Sequence, residues 1–186
     1  MSSSPKHVAR DPRDFYATPR WVADVVLESG LLPGRKGGRL CDPCAGNGAL
    51  VAAGHAHGYA ATGVEQDMAL VEQAQRAGLN VRHGDGLTAP RPHPLIINPP
   101  YSDIVPWLAL AARAPAAAML LRLDALAGAK RYDWWSANPP AGLIILCNRP
   151  SFTGDGKTDS SDYCWVLYGV NPFGIRWANV PKEKRR

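Results

Sequence analysis

Asn98-Pro99-Pro100-Tyr101 joins four residue types that can act together on one planar group. The segment directly follows the apolar run Leu95-Ile96-Ile97, which reads as a buried strand. Each proline holds φ near about −65° and removes a donor, so the backbone leaving Asn98 is stiff and extended. The Asn98 side-chain oxygen and the Pro99 carbonyl then face one point, with the Tyr101 ring beside it. Two uncharged acceptors and one stacking face suit a planar amino group such as the exocyclic amine of adenine. A second copy, Asn138-Pro139-Pro140-Ala141, follows Trp134-Trp135-Ser136-Ala137 instead of an apolar strand, and its fourth residue has no ring. That copy reads as a helix stop and turn.

Acids and glycines earlier in the chain describe a second half of the chemistry. Asp42-Pro43-Cys44-Ala45-Gly46-Asn47-Gly48 has the composition of a strand-to-helix turn, where Gly46 and Gly48 let a ligand approach the backbone. It is not the dinucleotide GxGxxG, and it lacks the lysine of a phosphate loop. Asp42 disfavours a polyphosphate there and favours a ligand that bears an ammonium group. Glu65 follows roughly twenty residues on, at the end of the next strand, where a carboxylate accepts from ribose hydroxyls. Asp85, in His83-Gly84-Asp85-Gly86, places a third acid where it can accept from an adenine amino group. Adenosine plus a charged amino-acid moiety describes S-adenosylmethionine. Cys41 and Cys44 have CxxC spacing, but Cys147 and Cys164 form no second close pair, and both lie in apolar runs. Free, buried thiols are the expected state, with no metal.

These residues need a scaffold, and the rest of the chain reads as one. Val22, Val25 and Val26 form a helical stripe over 19–29, with Thr18 as N-cap and Pro19 in the first turn. Strands are expected at Arg39–Cys41, Ala61–Glu65, Asn80–His83, Leu95–Ile97 and Ala116–Leu123. Helices are expected from Gly48 to about His57, from Asp67 to Gly78, over 103–113 and over 124–136. Leu143–Cys147 and Cys164–Val170 follow as strands with no helix between them, so they pair as a hairpin. The expectation is an α/β fold: a mostly parallel seven-stranded sheet with helices on both faces and a terminal antiparallel hairpin. In such sheets ligands bind at the carboxyl ends of the strands, which gathers Asp42–Gly48, Glu65, Asp85 and Asn98 at one edge.

At these residues the chain resembles small phage-type DNA N6-adenine methyltransferases, within the Rossmann-like class I S-adenosylmethionine-dependent methyltransferases. Phe15-Tyr16-Ala17-Thr18-Pro19 resembles the segment before that family's first core helix. Asp42–Leu50 resembles its cofactor glycine motif, and Asn98–Tyr101 its catalytic motif. Arg149–Gly154 and Lys157–Tyr163 are also similar, so the resemblance spans about residues 14–170. It implies that Tyr16, Thr18, Pro19, Asp42, Cys44, Ala45, Gly46 and Gly48 surround the methionine end of S-adenosylmethionine. Glu65 would hold the ribose and Asp85 the cofactor adenine, with Asn98 between cofactor and target. Asn98, Pro99, Pro100 and Tyr101 would form the catalytic motif, with Tyr101 stacked on the target base. Phe152 would hold the other face of the base, and Arg149 and Lys157 would contact DNA. Cytosine-C5 methyltransferases use a Pro-Cys nucleophile, but Pro43-Cys44 sits inside the cofactor turn and ahead of the catalytic motif. Cytosine-N4, glutamine-N5 and rRNA guanine-N2 methyltransferases share NPPY-type chemistry, and a non-catalytic cofactor- or DNA-binding module is a further alternative. Asn rather than Ser at position 98, with the Phe15–Pro19 and Phe152–Tyr163 segments, favours adenine in DNA.

The 186 residues fit one domain. The expected division is a basic arm over 1–14, a catalytic core over 15–175 and a basic tail over 176–186, with no separate target-recognition domain. The net charge of +5 is unevenly spread: +2 over residues 1–20, +4 over 176–186 and −1 between them. Basic ends around a near-neutral core suit contact with phosphates. No run reaches the ~20 apolar residues of a membrane span, and the N-terminus lacks the apolar stretch of a signal peptide. DNA is the expected partner, in the cytoplasm and without a membrane; monomer and homodimer both remain open. A short or loosely specified target sequence is expected.

Overall fold

The computed structural model describes residues 17–89, 93–152 and 158–185, so Tyr16 and Lys157 lie outside the described residues. Strands and helices alternate: α1 (Arg20–Glu28), β1 (Arg39–Asp42), α2 (Ala49–Ala56), β2 (Ala60–Glu65), α3 (Met68–Arg76), β3 (Val81–His83) and β4 (Leu95–Ile97). Then come α4 (Val105–Arg113), β5 (Ala117–Arg122), α5 (Tyr132–Ala137), β6 (Gly142–Leu146), β7 (Tyr163–Tyr168) and β8 (Gly174–Ala178). The strands form one sheet in the order β3-β2-β1-β4-β5-β7-β6-β8. β7 runs antiparallel to both neighbours, β5 and β6, while the other pairs are parallel. The expected hairpin is therefore present, with its second strand inserted between β5 and β6.

Period-two alternation in the central strands builds two cores, one on each face. Leu40, Ile96, Ala118 and Leu120 join Trp21, Val22, Val26, Leu27 and Val51 beneath α1 and α2. Their neighbours Cys41, Leu95, Ile97, Met119 and Leu121 join Trp107, Leu108 and Ala111 of α4 on the opposite face. Buried Trp165 of β7 ties α1 down by donating Nε1–H to the Val22 carbonyl at 2.9 Å. At α3, Asp67 accepts from Ala69 N–H at 2.8 Å, and Gly78 leaves the helix at φ 76°.

Four expectations are corrected. The sheet has eight strands, because 174–178 pairs in parallel with β6 and so is not a free tail. Its alternation of Ile175, Arg176 and Trp177 carried the strand signal. The helix expected over 124–136 is two one-turn 3₁₀ segments, Leu123–Leu126 and Ala129–Arg131, followed by the short α5. Gly128, at φ 103° and ψ 138°, cannot continue a helix and divides them. Thr18 does not cap α1: Pro19 is the N-cap residue, and the Thr18 side chain is committed elsewhere. Cys147 lies one residue beyond β6 and is exposed, whereas Cys41 and Cys164 are buried and Cys44 is half-buried. Among the described residues no helix is long and apolar enough to cross a membrane.

Candidate active site

The parallel strands end together, and their carboxyl ends carry a cavity of about 250 Å³. The turn after β1 supplies Asp42 to Asn47, the end of β2 supplies Glu65 to Asp67, and the segment after β4 supplies Asn98 and Pro100. Thr18 closes one side and Trp107 of α4 another. The β1–α2 turn keeps its shape through Glu65. Glu65 Oε2 accepts from Gly46 N–H at 2.8 Å, while Oε1 accepts from the N–H groups of Gln66 and Asp67, each at 2.8 Å. Glu65 is thus a backbone anchor as well as a wall of the cavity.

Asp42 is 2 % exposed and accepts from Cys44 N–H at 3.1 Å. Burial pushes its carboxyl up to about 7, and the nearby Glu65 carboxylate adds to the rise. A site that holds two carboxylates this close favours a cationic group between them. Asn47 points to the same need for a ligand: its Oδ1 is buried with no hydrogen-bond partner among the described residues, and Asn47 lines the cavity.

Asn98 is held from two sides. Its Nδ2–H donates to Thr18 Oγ1 at 3.0 Å, and its Oδ1 accepts from Tyr101 O–H at 2.7 Å. Together the two bonds fix the plane of the amide. The Asn98 backbone carbonyl accepts from Cys44 S–H at 3.3 Å, which joins the catalytic-type motif to the glycine turn. Tyr101 itself turns its hydroxyl inward. Arg122, at the end of β5, places its guanidinium carbon 5.3 Å from the Tyr101 ring centroid. Tyr163 meets the same ring edge-on at 6.1 Å, and Phe152 meets Tyr163 at 5.2 Å. Burial raises the Tyr101 hydroxyl well above the usual phenol range, so it stays a donor.

The structure brings Thr18, Asp42, Cys44, Ala45, Gly46, Glu65, Asn98 and Pro100 to one cavity. Pro19 and Pro99 stand beside it, one as the N-cap of α1 and the other buried after β4. Gly48 serves the fold: at φ 85°, a Cβ there would meet the Leu79 side chain at 2.6 Å. Asp85 Oδ1 accepts from Leu87 N–H at 2.8 Å and Gln66 Nε2–H at 3.2 Å, closing a turn at the cavity's rim. Tyr101 and Phe152 form an aromatic wall with Tyr163, next to the cavity. Arg149 pairs with Asp162 at 2.8 Å on the exposed surface and does not line this cavity. Sequence reasoning missed Asn47, Gln66, Asp67 and Trp107. The first three adjoin residues already singled out, and Trp107 sits six positions beyond Tyr101, in the first turn of the helix that follows the motif.

No family model and no curated protein sequence matches the chain. Solved structures do. The M protein of the type I restriction enzyme EcoKI aligns with a TM-score of 0.66 at 14% identity, over 93% of this chain and 51% of that one. A Pyrococcus horikoshii protein assigned as an RNA methyltransferase aligns at 0.63 and 19% identity, over 84% and 86%. An RNA methyltransferase from Salinibacter ruber, solved with S-adenosyl-L-homocysteine, aligns at 0.53 and 18%, over 89% and 96%. At these identities the likeness is one of fold. With its sheet order, its β7 insertion and its cavity at the carboxyl edge, the chain has the Rossmann-like fold of the class I S-adenosylmethionine-dependent methyltransferases.

Proposed function

We propose that the chain transfers the methyl group of S-adenosylmethionine to an exocyclic amine of a nucleic-acid base, and that this amine is N6 of adenine in DNA. One observation carries the reading: the clamped Asn98 amide lines the same cavity as the buried Asp42 carboxyl and the Glu65-anchored glycine turn.

S-adenosylmethionine, when bound, supplies an electrophilic methyl group. The residues present fit it. Asp42 would face its ammonium group, Asn47 Oδ1 offers an unused acceptor, and Glu65, Gln66 and Asp67 form the wall suited to a ribose. Asn98 does the work on the target. An amide oxygen has two lone pairs; Asn98 Oδ1 accepts from Tyr101 O–H and, on this reading, would also accept an N–H of the target amine. Thr18 holds the other end of the amide through its bond to Nδ2. Accepting the N–H draws the amine lone pair out of ring conjugation and toward a pyramidal nitrogen, which is the nucleophilic form. Positioning and electrostatics then supply most of the rate, with no covalent intermediate on the protein. A target inside a duplex must first leave the stack, at a cost of a few kcal/mol.

Adenine in DNA is supported by Asn at position 98 and by the likeness of the 15–19 and 149–163 segments to DNA N6-adenine enzymes. A second reading, the same chemistry on RNA, is favoured by the RNA methyltransferases among the structural neighbours. One incubation separates them: labelled S-adenosylmethionine with unmethylated DNA or with RNA, followed by digestion and mass analysis of the nucleosides. The expected product is N6-methyladenine from DNA. Asn98→Ala should lower transfer by about 10²–10³-fold, the scale for losing one preorganised hydrogen-bonding group, with cofactor affinity near normal. Normal transfer by that variant would overturn the mechanism.

A further inference from the structure

We propose that a second cleft, formed where the C-terminal segment returns to α1, binds a backbone phosphodiester of the strand that carries the target base. The proposal rests on nucleic acid being the substrate and adds where its backbone is held. The cleft has a volume of about 610 Å³. Buried Trp21 of α1 lines one side. Arg149 and Ser151, from the connection after β6, line another, and Lys182 and Arg185 line a third.

Topology explains why these residues meet. β6 and β8 are parallel, with Leu146 beside Ala178, so the chain leaves both at the same edge of the sheet as Asn98. Cys147 N–H then donates to the Ala178 carbonyl at 2.8 Å, and Val180 N–H donates to Asn148 Oδ1 at 2.7 Å. The last residues are thereby tied to the loop that bears Arg149 and Ser151. Trp21 is three residues beyond Thr18, which bonds Asn98. Ser151 precedes Phe152, whose ring touches Tyr163 and, through it, Tyr101. Both walls of the cleft thus adjoin residues that frame Asn98, as the phosphate flanking a target nucleotide requires.

The chemistry of the cleft matches an anion with several acceptor oxygens. Asp162 holds the Arg149 guanidinium in place and offsets its charge, which leaves Lys182 and Arg185 to outweigh Glu183. Ser151 Oγ and Arg185 Nε are shielded from solvent without a hydrogen-bond partner among the described residues. Donors are costly to leave buried and unmet, and phosphate oxygens would satisfy both. Contacts of this kind fix register without reading sequence, in keeping with a loosely specified target.

The test is a binding titration of the full chain with a fluorescent single-stranded DNA and with an RNA of the same sequence, across salt concentrations. Lys182→Gln/Arg185→Gln should weaken binding several-fold and make the slope of log K against log salt shallower by about one to two. Arg113→Gln removes a charge at the opposite edge of the sheet and should leave the slope alone. Cofactor affinity reports that each variant is folded. An unchanged slope in the double variant overturns the cleft even if methyl transfer proceeds. Salt-dependent binding that the double variant loses, with no methyl transfer to either polymer, keeps the cleft and overturns the proposed function. Absence of salt-dependent binding in the parent chain also overturns the cleft. A loss confined to DNA or to RNA identifies the strand it serves.

Discussion

Asp42 links the chemistry of the cavity to the stability of the fold. Its carboxyl titrates near 7 when folded, against 3.8 in an exposed chain, because burial disfavours its charge. The folded state therefore holds the proton more tightly than the unfolded state does. The contribution of Asp42 to stability is fully present below about pH 4 and is lost as pH climbs toward 7, by ~4 kcal/mol at most. Asn cannot ionise, so Asp42→Asn should melt at a higher temperature than the parent at pH 8 and at nearly the same temperature at pH 4. The cost falls on binding. On the proposed reading, an ammonium group opposite Asp42 stabilises the ionised form, so cofactor affinity should rise with pH up to about 7 and fall again above about 8, where an α-ammonium loses its own proton. Calorimetric titrations should show Asp42→Asn binding at least tenfold more weakly, with that rise abolished. A pH-independent affinity in the parent chain would falsify the pairing. The need for an acid at this position was legible, because its type and place in a glycine turn point to a cation. The locking of Asn98 by Thr18 was not, since a threonine ahead of a proline and a helical stripe reads as a cap.

At the scale of elements, the cofactor-type turn is held by glycines whose reason lies outside the turn. A Cβ on Gly63 of β2 would stand 2.5 Å from the Ala45 side chain, and one on Gly86, after β3, would collide with the Pro43 carbonyl. The β1–α2 turn thus rests directly on two neighbouring strand ends. Backbone cannot yield as a flexible side chain can, so Gly86→Ala should displace Pro43 and with it Asp42 and Cys44. A shift of this kind, even near 1 Å, is expected to weaken cofactor binding by tenfold or more. Gly78→Ala is the control: at φ 76° it is strained but meets nothing within 4 Å, so it should cost about 1 kcal/mol of stability and leave cofactor affinity unchanged. Chemical denaturation and calorimetry separate the two outcomes. Local signals made most elements readable, as with Asp67 and Gly78 around α3 or the apolar run of β4. They failed where distant contacts decide. Asp124 to Ser136 has helical composition, yet Gly128 adopts a conformation no helix contains. Gly63 and Gly86 look like ordinary glycines until the turn is laid over them.

At the scale of the whole molecule, the eighth strand changes what the basic C-terminus is for. Residues 174–178 pair along β6 but are mostly exposed, so they bury little apolar surface of their own. Phe173, Ala178 and Val180 are only partly buried where they pack against the core that contains Trp21. The strand's main consequence is positional: it carries Lys182 and Arg185 back to the edge that holds Asn98. A chain ending at residue 171 should therefore keep the cavity and bind cofactor within about twofold of the full chain, with a melting temperature lowered by several degrees. It should lose most of its salt-dependent affinity for single-stranded DNA, because the charges that make up the second cleft go with the strand. It should also self-associate, since β6 becomes an edge whose unpaired N–H and C=O groups were met by β8. Cofactor titration, anisotropy with labelled DNA and analytical ultracentrifugation measure the three effects independently. Undiminished DNA affinity in a folded, cofactor-binding truncation would show that the substrate strand is held elsewhere.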